Sequence, residues 1–257
     1  MRKLAIIVLE NFPLVEPKDD VAKMIVEVAA RNGLEFEDSD VIVVAQKIFS
    51  KAEGRMIKLK DVVPSEKAEE LAKATKKDAR FIELVLRETK RIVKVSDETL
   101  LVEDKRGLIC INAGIDKSNV KGKGNYALLP EDPDKSAEKC RMDIKKLTGK
   151  NVGVIISDTY SRPFRRGQVN FAIGIAGVAL FRDYRGKKDL FGQVLKVKNV
   201  AVVDEVAAAA ELLMGQATEK SPVVILRGLD DVSVFSGESR TSGLFISNKE
   251  DLFRDAL

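Results

Sequence analysis

Short apolar runs along the chain predict its β-strands. The clearest runs are rich in β-branched residues and lie at 4–9, 41–45, 152–156 and 223–226. Less regular runs predict further strands at 92–95, 100–103, 108–112 and 194–197. The segment 171–181 is small and apolar, which is typical of a tightly packed strand pair.

Apolar positions three and four residues apart predict amphipathic helices between these strands. The first begins after Asp20 and ends at Gly33, and a helical region at 64–90 has a break near 77–78. A third helix begins at Pro133 and ends at Gly149. Its predicted buried stripe is Ala137, Cys140, Ile144 and Leu147. A fourth helix is predicted at 204–214.

The order of these elements bounds the fold class. Helices and strands are mixed without regular alternation, which favours an α+β arrangement over a doubly wound sheet. No G-x-x-x-x-G-K-[ST] motif is present, which excludes a P-loop. The segment 122–127 fits G-x-G-x-x-A only nominally, because no helix is predicted after it. We therefore predict one domain, 1–257, of irregular two-part architecture, with a break near 125–133.

Composition narrows the chemistry and the setting. Histidine is absent, so a Ser-His-Asp triad and histidine-based zinc sites are excluded. The net charge of +4 is mild and only 5% of residues are aromatic, so nucleic acid is not an expected partner. No apolar run is long enough for a membrane span. Two cysteines without C-x-x-C spacing favour a reduced, cytoplasmic setting.

The richest polar segment follows the predicted strand at 152–156. Its sequence, S-D-T-Y-S-R-P-F-R-R-G at 157–167, predicts a polar turn with one carboxylate, several hydroxyls and three arginines. Hard cations such as magnesium prefer oxygen ligands, and arginine forks suit phosphates and carboxylates. The segment therefore suggests a site for a metal-bound nucleotide. The competing interpretation is a surface hairpin with salt bridges.

Four other element ends carry similar groups. They are 10–13 after the first strand, Lys47 and Lys51 after the second, the amides and Asp116 at 112–119, and 214–218 after the last helix. Each has an ordinary explanation: a turn, surface lysines, an Asx turn, or a glycine that ends a helix. Together, at one edge of a sheet, they would form a nucleotide–metal cleft.

The combination of motifs resembles a known family. Segments 50–55, 112–120, 158–159 with 164–167, 172–174 and 213–216 are similar to those of coenzyme F420-0:L-glutamate ligase, the gamma-glutamyl ligase of F420 biosynthesis. The resemblance runs in order from about residue 9 to residue 228. It implies a two-part α+β fold and a homodimer.

The resemblance also implies an activity. It is GTP-dependent ligation of L-glutamate to the lactyl carboxylate of F420-0, a deazaflavin phosphodiester, followed by a second, gamma-linked glutamate. It implies two divalent ions per subunit, Mg²⁺ or Mn²⁺, and a K⁺ ion. GTP γ-phosphoryl transfer would make an acyl phosphate that the glutamate amine attacks, releasing GDP and phosphate.

Positions of the family's site carry over onto this chain. The implied metal ligands are Asp116, Asp158, Thr159 and Gln216. The implied GTP contacts are Glu10, Asn11, Phe12, Pro13, Gln46, Lys47, Lys51, Asn119, Met214, Gly215, Gln216, Ala217 and Thr218. From charge we add Lys51 and Arg166, with Asp116 and Asp158, as the candidate catalytic residues.

Three other functions stay open at this stage. A sister ligase that glutamylates another carboxylate would carry the same metal and GTP motifs. A non-catalytic GTP-binding protein would bind the nucleotide without hydrolysis. A structural scaffold would show no metal-dependent thermal shift with GTP.

Overall fold

The structure, a computed structural model, describes residues 3–229, 232, 240–247 and 249–251. The chain divides into two compact units. Unit 1 comprises Met1–Ala52 and Asp132–Leu244, and unit 2 comprises Glu53–Glu131 and Phe245–Leu257. The chain thus passes from unit 2 back to unit 1 inside the predicted break at 125–133. The interpretation of 1–257 as a single domain stays a prediction.

Twelve strands and six α-helices are found in the described residues. In chain order they are β1 (Ala5–Val8), α1 (Val21–Arg31), β2 (Val41–Ala45), α2 (Gln46–Ala52), β3 (Met56–Lys58), α3 (Glu66–Thr75), α4 (Ala79–Glu88), β4 (Thr89–Ser96), β5 (Thr99–Asp104), β6 (Ile109–Ile111), β7 (Asn125–Ala127), α5 (Pro133–Thr148), β8 (Gly153–Ser161), β9 (Gln168–Ala176), β10 (Arg182–Asp183), β11 (Asn199–Val200), α6 (Val202–Met214) and β12 (Val223–Arg227). Three short 3₁₀ helices lie at Leu59–Asp61, Asn112–Gly114 and Thr241–Leu244.

Unit 1 is built on a five-stranded mixed sheet in the order β1-β12-β2-β8-β9. The β2–β8 pair is parallel and the other neighbours are antiparallel. Strands β1, β2 and β8 therefore point the same way and end at one edge of the sheet. Strands β9 and β12 begin at that edge. In open α/β sheets, ligands bind outside the carboxyl ends of parallel strands.

Helix α6 covers one face of this sheet. Its apolar residues Val203, Ala207 and Ala210 pack with alternate residues of the strands, among them Val43 and Ile155, in a fully buried core. A β-bulge opposite Ile156–Ser157 shifts the alternation along β9.

Two carboxylates on α6, seven residues apart, hold β9 against the helix. Asp204 Oδ1 accepts the backbone N–H of Ala172 at 3.0 Å, and Glu211 Oε2 accepts the Asn170 side-chain amide at 2.6 Å. Seven residues are about two helical turns, so both carboxylates lie on one helix face. Residues two apart on a strand likewise share a face, so this clamp joins the helix to the sheet.

Helices α5 and α1 cover the opposite face, with α1 packed on α5. Gly174 of β9 has no room for a side chain, because a Cβ there would lie 2.5 Å from the Pro133 carbonyl oxygen. The absence of a side chain lets the first turn of α5 reach the sheet. Asp134 in that turn accepts the backbone N–H of Ile175 at 2.9 Å and the hydroxyl of Thr241 at 3.0 Å.

Unit 2 contains α3, α4, the antiparallel sheet β4-β5-β6 and the two-stranded β3–β7 pair. Its core includes Phe81, Ile82 and Val85 of α4 with Leu100 and Val102 of β5. The fold is α+β, as predicted, and the described residues contain no closed barrel, P-loop or Rossmann domain. No helix among these residues is long and apolar enough to cross a membrane.

The predicted helices at 21–33, 64–90 and 133–149 are confirmed, including the break between α3 and α4. Two predictions are wrong. Residues 194–197 form no strand; Val194 makes only an isolated bridge with Lys188, and Val197 is exposed. Leu147 is about half exposed, because the last turn of α5 extends beyond its packing surface.

Two other segments, the one after β2 and the end of the chain, complete the comparison with the predicted elements. The polar segment after β2, left unassigned by the periodicity, forms helix α2. The serine- and glycine-rich tail from Asp230, whose last residues the sequence predicts as a short amphipathic segment, lies mainly outside the described residues.

Candidate functional site

The candidate site begins where strand β2 ends. The last registered pair between β2 and β8 is Ala45 with Ser157. Beyond it, the chain turns into α2 at Gln46, whereas β8 continues through Asp158. The carboxyl-terminal part of β8 therefore extends past its parallel neighbour. Gln46 and Asp158 each lie one residue past the final pair, at the carboxyl edge of the sheet.

The prediction of a polar turn at 157–167 is wrong for residues 157–161. Strand β8 runs to Ser161, and Thr159 pairs with Asn170 on β9. Only 162–167 form the turn, so the segment is a β-hairpin, and the metal–nucleotide site stays a prediction. Thr159 and Tyr160 have high strand propensity, and pairing with β9 outweighs the turn tendency of the neighbouring serines and Asp158.

Strand alternation places the two adjacent metal candidates on different faces. Thr159 contacts residues of the α6 face, so Asp158 points toward the opposite face. Phe171, the Cα partner of Asp158, packs its ring against Tyr160 at 4.3 Å between centroids. One ion bound by both residues would therefore combine the Asp158 carboxylate with a backbone oxygen of Thr159, not with its hydroxyl.

A closed ring of hydrogen bonds lies on the α6 face. Thr159 Oγ1 donates to Asn170 Oδ1 at 2.7 Å, and Asn170 Nδ2 donates to Glu211 Oε2 at 2.6 Å. Gln216 Nε2 closes the ring by donating to Glu211 Oε1 at 2.7 Å and to Thr159 Oγ1 at 2.9 Å. We call these four residues the polar ring. It joins β8, β9, the end of α6 and the loop after α6.

Glu211 and Asn170 are the two ring members that sequence reasoning missed, and Glu211 is the only one of them that can carry a charge. It receives two side-chain amide donors, and burial raises the pKa of its carboxyl against the lowering effect of those donors. On the sequence it is one more acidic residue of an amphipathic helix, with no motif around it. The only available signal was its position five residues before Gln216, in the last turn of α6.

Helix α2 supplies the lysine candidates. Lys47 and Lys51 are four residues apart, so they share one helix face. Burial lowers the pKa of the Lys51 ammonium, and the neighbouring Lys47 lowers it further. Gln46 is 98% buried, and its Oε1 accepts the Ser50 hydroxyl at 2.7 Å. Its Nε2 has no hydrogen-bond partner among the described residues.

The segment after β1 lies at the same edge. The backbone N–H of Glu10 donates to Asn32 Oδ1 at 2.8 Å, and the N–H of Phe12 donates to the Lys220 carbonyl at 3.0 Å. Glu10, Asn11 and Pro13 are exposed, whereas Phe12 is buried. The Phe12 side chain therefore belongs to the core, so a GTP contact at Phe12 would be made by its backbone.

The backbone of the loop after α6 donates hydrogen bonds to the carboxylate of Glu219, a residue of the same loop. Met214 is buried in the α6 core, and Gly215 follows with φ +70°. Glu219 Oε2 accepts the Ala217 N–H at 2.7 Å, and backbone N–H groups of 217–219 together lower the pKa of this exposed carboxyl. Successive N–H groups of this kind form an anion-binding concavity. Gly215 has no side chain that would collide with Glu219.

The arginines lie at the tip of the β8–β9 hairpin. Arg162 Nη2 donates to the Arg166 carbonyl at 3.1 Å and closes the turn, while Arg165 and Arg166 are exposed. Between Asp158 and Arg166 lie the last residues of β8 and most of the turn. At about 3.3 Å per strand residue, Arg166 lies on the order of 10 Å beyond Asp158 along β8.

Asp116 and Asn119 belong to unit 2. Asp116 forms the Asx turn that its sequence predicts: Oδ1 accepts the Ser118 N–H at 2.8 Å, and Oδ2 accepts the Ser118 hydroxyl at 2.6 Å. Its backbone pairs with Ala127, and Asn119 is exposed with φ +53°.

The donor set suits a hard cation that needs other ligands as well. The described residues contain no cluster of three or more Asp, Glu, His or Cys that could hold a metal alone. Unit 1 offers the Asp158 carboxylate with neutral oxygens of Thr159 and Gln216. Magnesium is commonly bound by one or two protein carboxylates together with water and substrate phosphates. These residues fit such an ion.

Fold and site define a class: an α+β protein with oxygen-bearing side chains gathered at the carboxyl edge of a mixed sheet. The family profile described as F420-0:Gamma-glutamyl ligase matches residues 10–228. A coenzyme F420:L-glutamate ligase of Methanopyrus kandleri is 44% identical over 250 residues, covering 96% of this chain and 97% of the relative. Those of Archaeoglobus fulgidus (45%; 97% and 96% covered) and Methanocaldococcus jannaschii (47%; 85% and 86%) are equally similar. The chain belongs to the F420-0:gamma-glutamyl ligase family.

Proposed function

We propose that this protein ligates L-glutamate to the lactyl carboxylate of F420-0, and then adds a second glutamate through a gamma linkage. GTP supplies the free energy, and GDP and phosphate leave. Its relatives carry the name coenzyme F420:L-glutamate ligase and are covered almost end to end. The observation that carries the proposal is the assembly, at one sheet edge, of segments that the family resemblance assigned to nucleotide and metal.

The reaction needs an activated carboxylate, because a free carboxylate has no good leaving group. In the proposed sequence, an oxygen of the lactyl carboxylate attacks the γ-phosphorus of GTP, the bond to the β–γ bridging oxygen breaks, and GDP departs. The glutamate amine then attacks the acyl carbon, loses a proton, and phosphate leaves. No histidine is required by either step, in keeping with the composition.

The chain's own residues bind and orient these groups. Lys47 and Lys51 present two ammonium groups from one face of α2, where phosphate oxygens would offset their mutual repulsion. The backbone N–H groups of 217–219, now held by Glu219, suit a phosphate oxygen. Arg166, at the hairpin tip, would bind a carboxylate of the substrate.

Asp158, Thr159 and Gln216 are the residues of unit 1 that would hold a divalent cation. In unit 2, Asp116 is the residue that the family resemblance proposes as a metal ligand. Such a cation, when bound, neutralises negative charge on the transferring phosphoryl group. Glu211 holds the Gln216 amide by its nitrogen, which fixes the direction of the Gln216 carbonyl oxygen. Two ions per subunit, a K⁺ ion and a homodimer are parts of the same proposal.

The test is a reconstitution with purified, folded protein. GTP, Mg²⁺ or Mn²⁺, L-glutamate and F420-0 are combined, and each is omitted in turn. We expect glutamylated F420 by mass spectrometry and stoichiometric GDP only in the complete mixture. ATP in place of GTP should give far less product.

Two results would contradict the proposal. GDP formation without any glutamylated product would indicate another acceptor, which a carboxylate panel or cell extract would then identify. GTP binding without turnover in every mixture would indicate a non-catalytic GTP-binding protein. Size measurement by light scattering tests the dimer separately.

A further inference from the structure

A small cavity in unit 2 is lined by an aromatic pair and by the Asp116 turn. Its volume is about 260 Å³, and its lining includes Lys77, Phe81, Asp116, Lys117 and Tyr126. Drug-sized ligands usually occupy pockets of about 300–1,000 Å³. This cavity is therefore the size of one ring system of a ligand and not of a whole nucleotide.

The aromatic pair is held by elements on both sides. Phe81 is buried on α4, and the half-buried Tyr126 lies on β7, with ring centroids 5.2 Å apart at 42°. The backbone of Asp116 exchanges two hydrogen bonds with Ala127, at 2.8 and 3.1 Å. The residue next to Tyr126 thus fixes Asp116, so the ring and the candidate catalytic carboxylate line one cavity.

Two lysines and two carboxylates line the cavity, and the Asp116 carboxylate already accepts two hydrogen bonds from Ser118, so the lysines are the groups that would meet an anionic ligand. Lys77 Nζ lies 5.2 Å from the centre of the Phe81 ring, and Lys117 is exposed at the rim. The Asp78 carboxylate forms an ion pair with Arg80, whose Nε and Nη2 donate to Oδ1 and Oδ2 at 3.0 and 2.6 Å. A planar ring can pack on the aromatic side chains while a phosphate attached to it meets the lysines.

We propose that this cavity binds the planar heteroaromatic ring of a substrate, stacked on Tyr126, with Lys77 facing an anionic substituent of that substrate. The inference rests on the proposed ligase function, which has two substrates with such a ring. They are the deazaflavin of the acceptor and the purine of the nucleotide. Packing alone would also explain an aromatic pair, but it gives no reason for a cavity beside Asp116.

The test measures binding of two probes to the full-length protein. One is a deazaflavin riboside without phosphate or lactyl group, followed by its fluorescence, and the other is GDP with Mg²⁺, followed by calorimetry. Tyr126→Leu should weaken one of the two by at least about fivefold, the lower end expected for loss of ring stacking. Tyr126→Phe keeps the ring and should stay within about twofold.

A matched control exists in unit 1. Tyr184 also has a lysine over its ring, with Lys187 Nζ at 5.1 Å from the centroid. Tyr184→Leu should leave both affinities within about twofold. If Tyr126→Leu fails to fold, fluorotyrosine NMR of the wild type replaces it. The chain has three tyrosines, and a bound ring should shift the Tyr126 resonance and not that of Tyr184.

The outcomes separate this inference from the proposed function. Loss of riboside affinity assigns the cavity to the acceptor, and loss of GDP affinity assigns it to the purine. Wild-type affinity of Tyr126→Leu for both probes, or an unmoved Tyr126 resonance, overturns the inference even if the wild type makes product. A Tyr126-dependent ring site in a protein that makes no product would contradict only the ligase proposal.

Discussion

The polar ring of unit 1 and the Asp116 turn of unit 2 hold candidate metal ligands in opposite ways. In the polar ring, Thr159 and Gln216 are joined through Asn170 and Glu211. One of the four hydrogen bonds joins residues five apart in sequence, and the other three join residues 11 to 57 apart. In the Asp116 turn, both carboxylate oxygens bond to Ser118, two residues away. The first arrangement exists only when α6 has packed on the sheet, whereas the second can form locally.

This difference predicts how each region responds to substitution. A change in the polar ring should disturb ligand geometry and fold stability together, because its members connect three separate elements. A change in the Asp116 turn should disturb local geometry with little cost in stability. Activity and thermal unfolding, measured on the same variants, distinguish the two responses.

The largest effect is expected at Asp158, which lies beside the polar ring but points to the other face. Asp158→Asn removes the only carboxylate that unit 1 offers among the proposed metal ligands. Turnover should fall by about a hundredfold or more, the range seen when a group that stabilises transition-state charge is lost. The unfolding midpoint should change little. Initial rates at saturating GTP, with calorimetric unfolding, provide the measurement.

The control for Asp158 is Asp143→Asn on α5, where the carboxylate pairs only with Lys139 and Lys146 at the surface. That variant should keep wild-type turnover. Normal turnover in Asp158→Asn would remove the residue from the proposed site.

Glu211→Ala should show the combined response of the polar ring. It leaves the amides of Asn170 and Gln216 without their acceptor, and Asn170 is almost fully buried. An unsatisfied buried donor costs about 1–3 kcal/mol of unfolding free energy. Turnover should fall by roughly tenfold as the Gln216 carbonyl loses its orientation, with a weaker apparent affinity for Mn²⁺.

Glu205→Ala is the matched control, because Glu205 lies on the same helix and is exposed. Glu211→Gln keeps an acceptor oxygen and should recover part of the stability. If Glu211→Ala lost stability but kept its Mn²⁺ dependence, the polar ring would be structural only.

The sequence predicted well those features that depend on residues close together in the chain. The Asx turn at Asp116, the glycine after α6 and the cap at Asp20 are confirmed, because each depends on the intrinsic preference of one or two residues. Glu211, Asn170 and the length of β8 depend on which strands pair and where a helix packs. Periodicity cannot supply that information, and β9 pairing extended β8 through residues that favour a turn.

A substitution in the loop at 215–219 should strengthen GTP binding, whereas substitutions in the polar ring and in the Asp116 turn should reduce turnover. The Glu219 carboxylate occupies the N–H groups that we propose for a phosphate, so it competes with the nucleotide. Glu219→Gln weakens this internal competitor, and GTP should bind roughly three- to tenfold more tightly, as for the loss of one charge-assisted bond. Titration calorimetry measures the change, and Glu250→Gln serves as a surface control. Weaker GTP binding would indicate that Glu219 supports the loop instead.

Ser118→Ala tests whether the Asp116 turn of unit 2 tolerates the loss of one local hydrogen bond. The substitution removes the hydroxyl bond to Asp116 Oδ2 and leaves the backbone bond to Oδ1. Turnover should fall by about threefold at most, with an unchanged unfolding midpoint, since one exposed neutral donor contributes little. A loss as large as that of Glu211→Ala would contradict the distinction between a local turn and a long-range ring.

The smallest effect concerns Asp204, the second carboxylate that clamps α6 to β9. Burial raises the pKa of its carboxyl, against the lowering effect of the Ala172 N–H. The unfolded chain therefore ionises first as pH rises above about 4, and the folded state loses stability until Asp204 itself ionises. Asp204→Asn keeps an oxygen for the Ala172 N–H but cannot ionise.

The difference in unfolding midpoint between Asp204→Asn and the wild type should accordingly be small at pH 4 and grow in favour of the variant toward neutral pH. Thermal unfolding at several pH values measures it, and the difference cancels the contributions of Glu211 and Asp134, whose carboxyl pKa values burial also raises. A variant that lost stability relative to the wild type as pH rose would show that the ionised Asp204 carboxylate strengthens the clamp. In that case the Ala172 hydrogen bond, and not burial, would dominate its energetics.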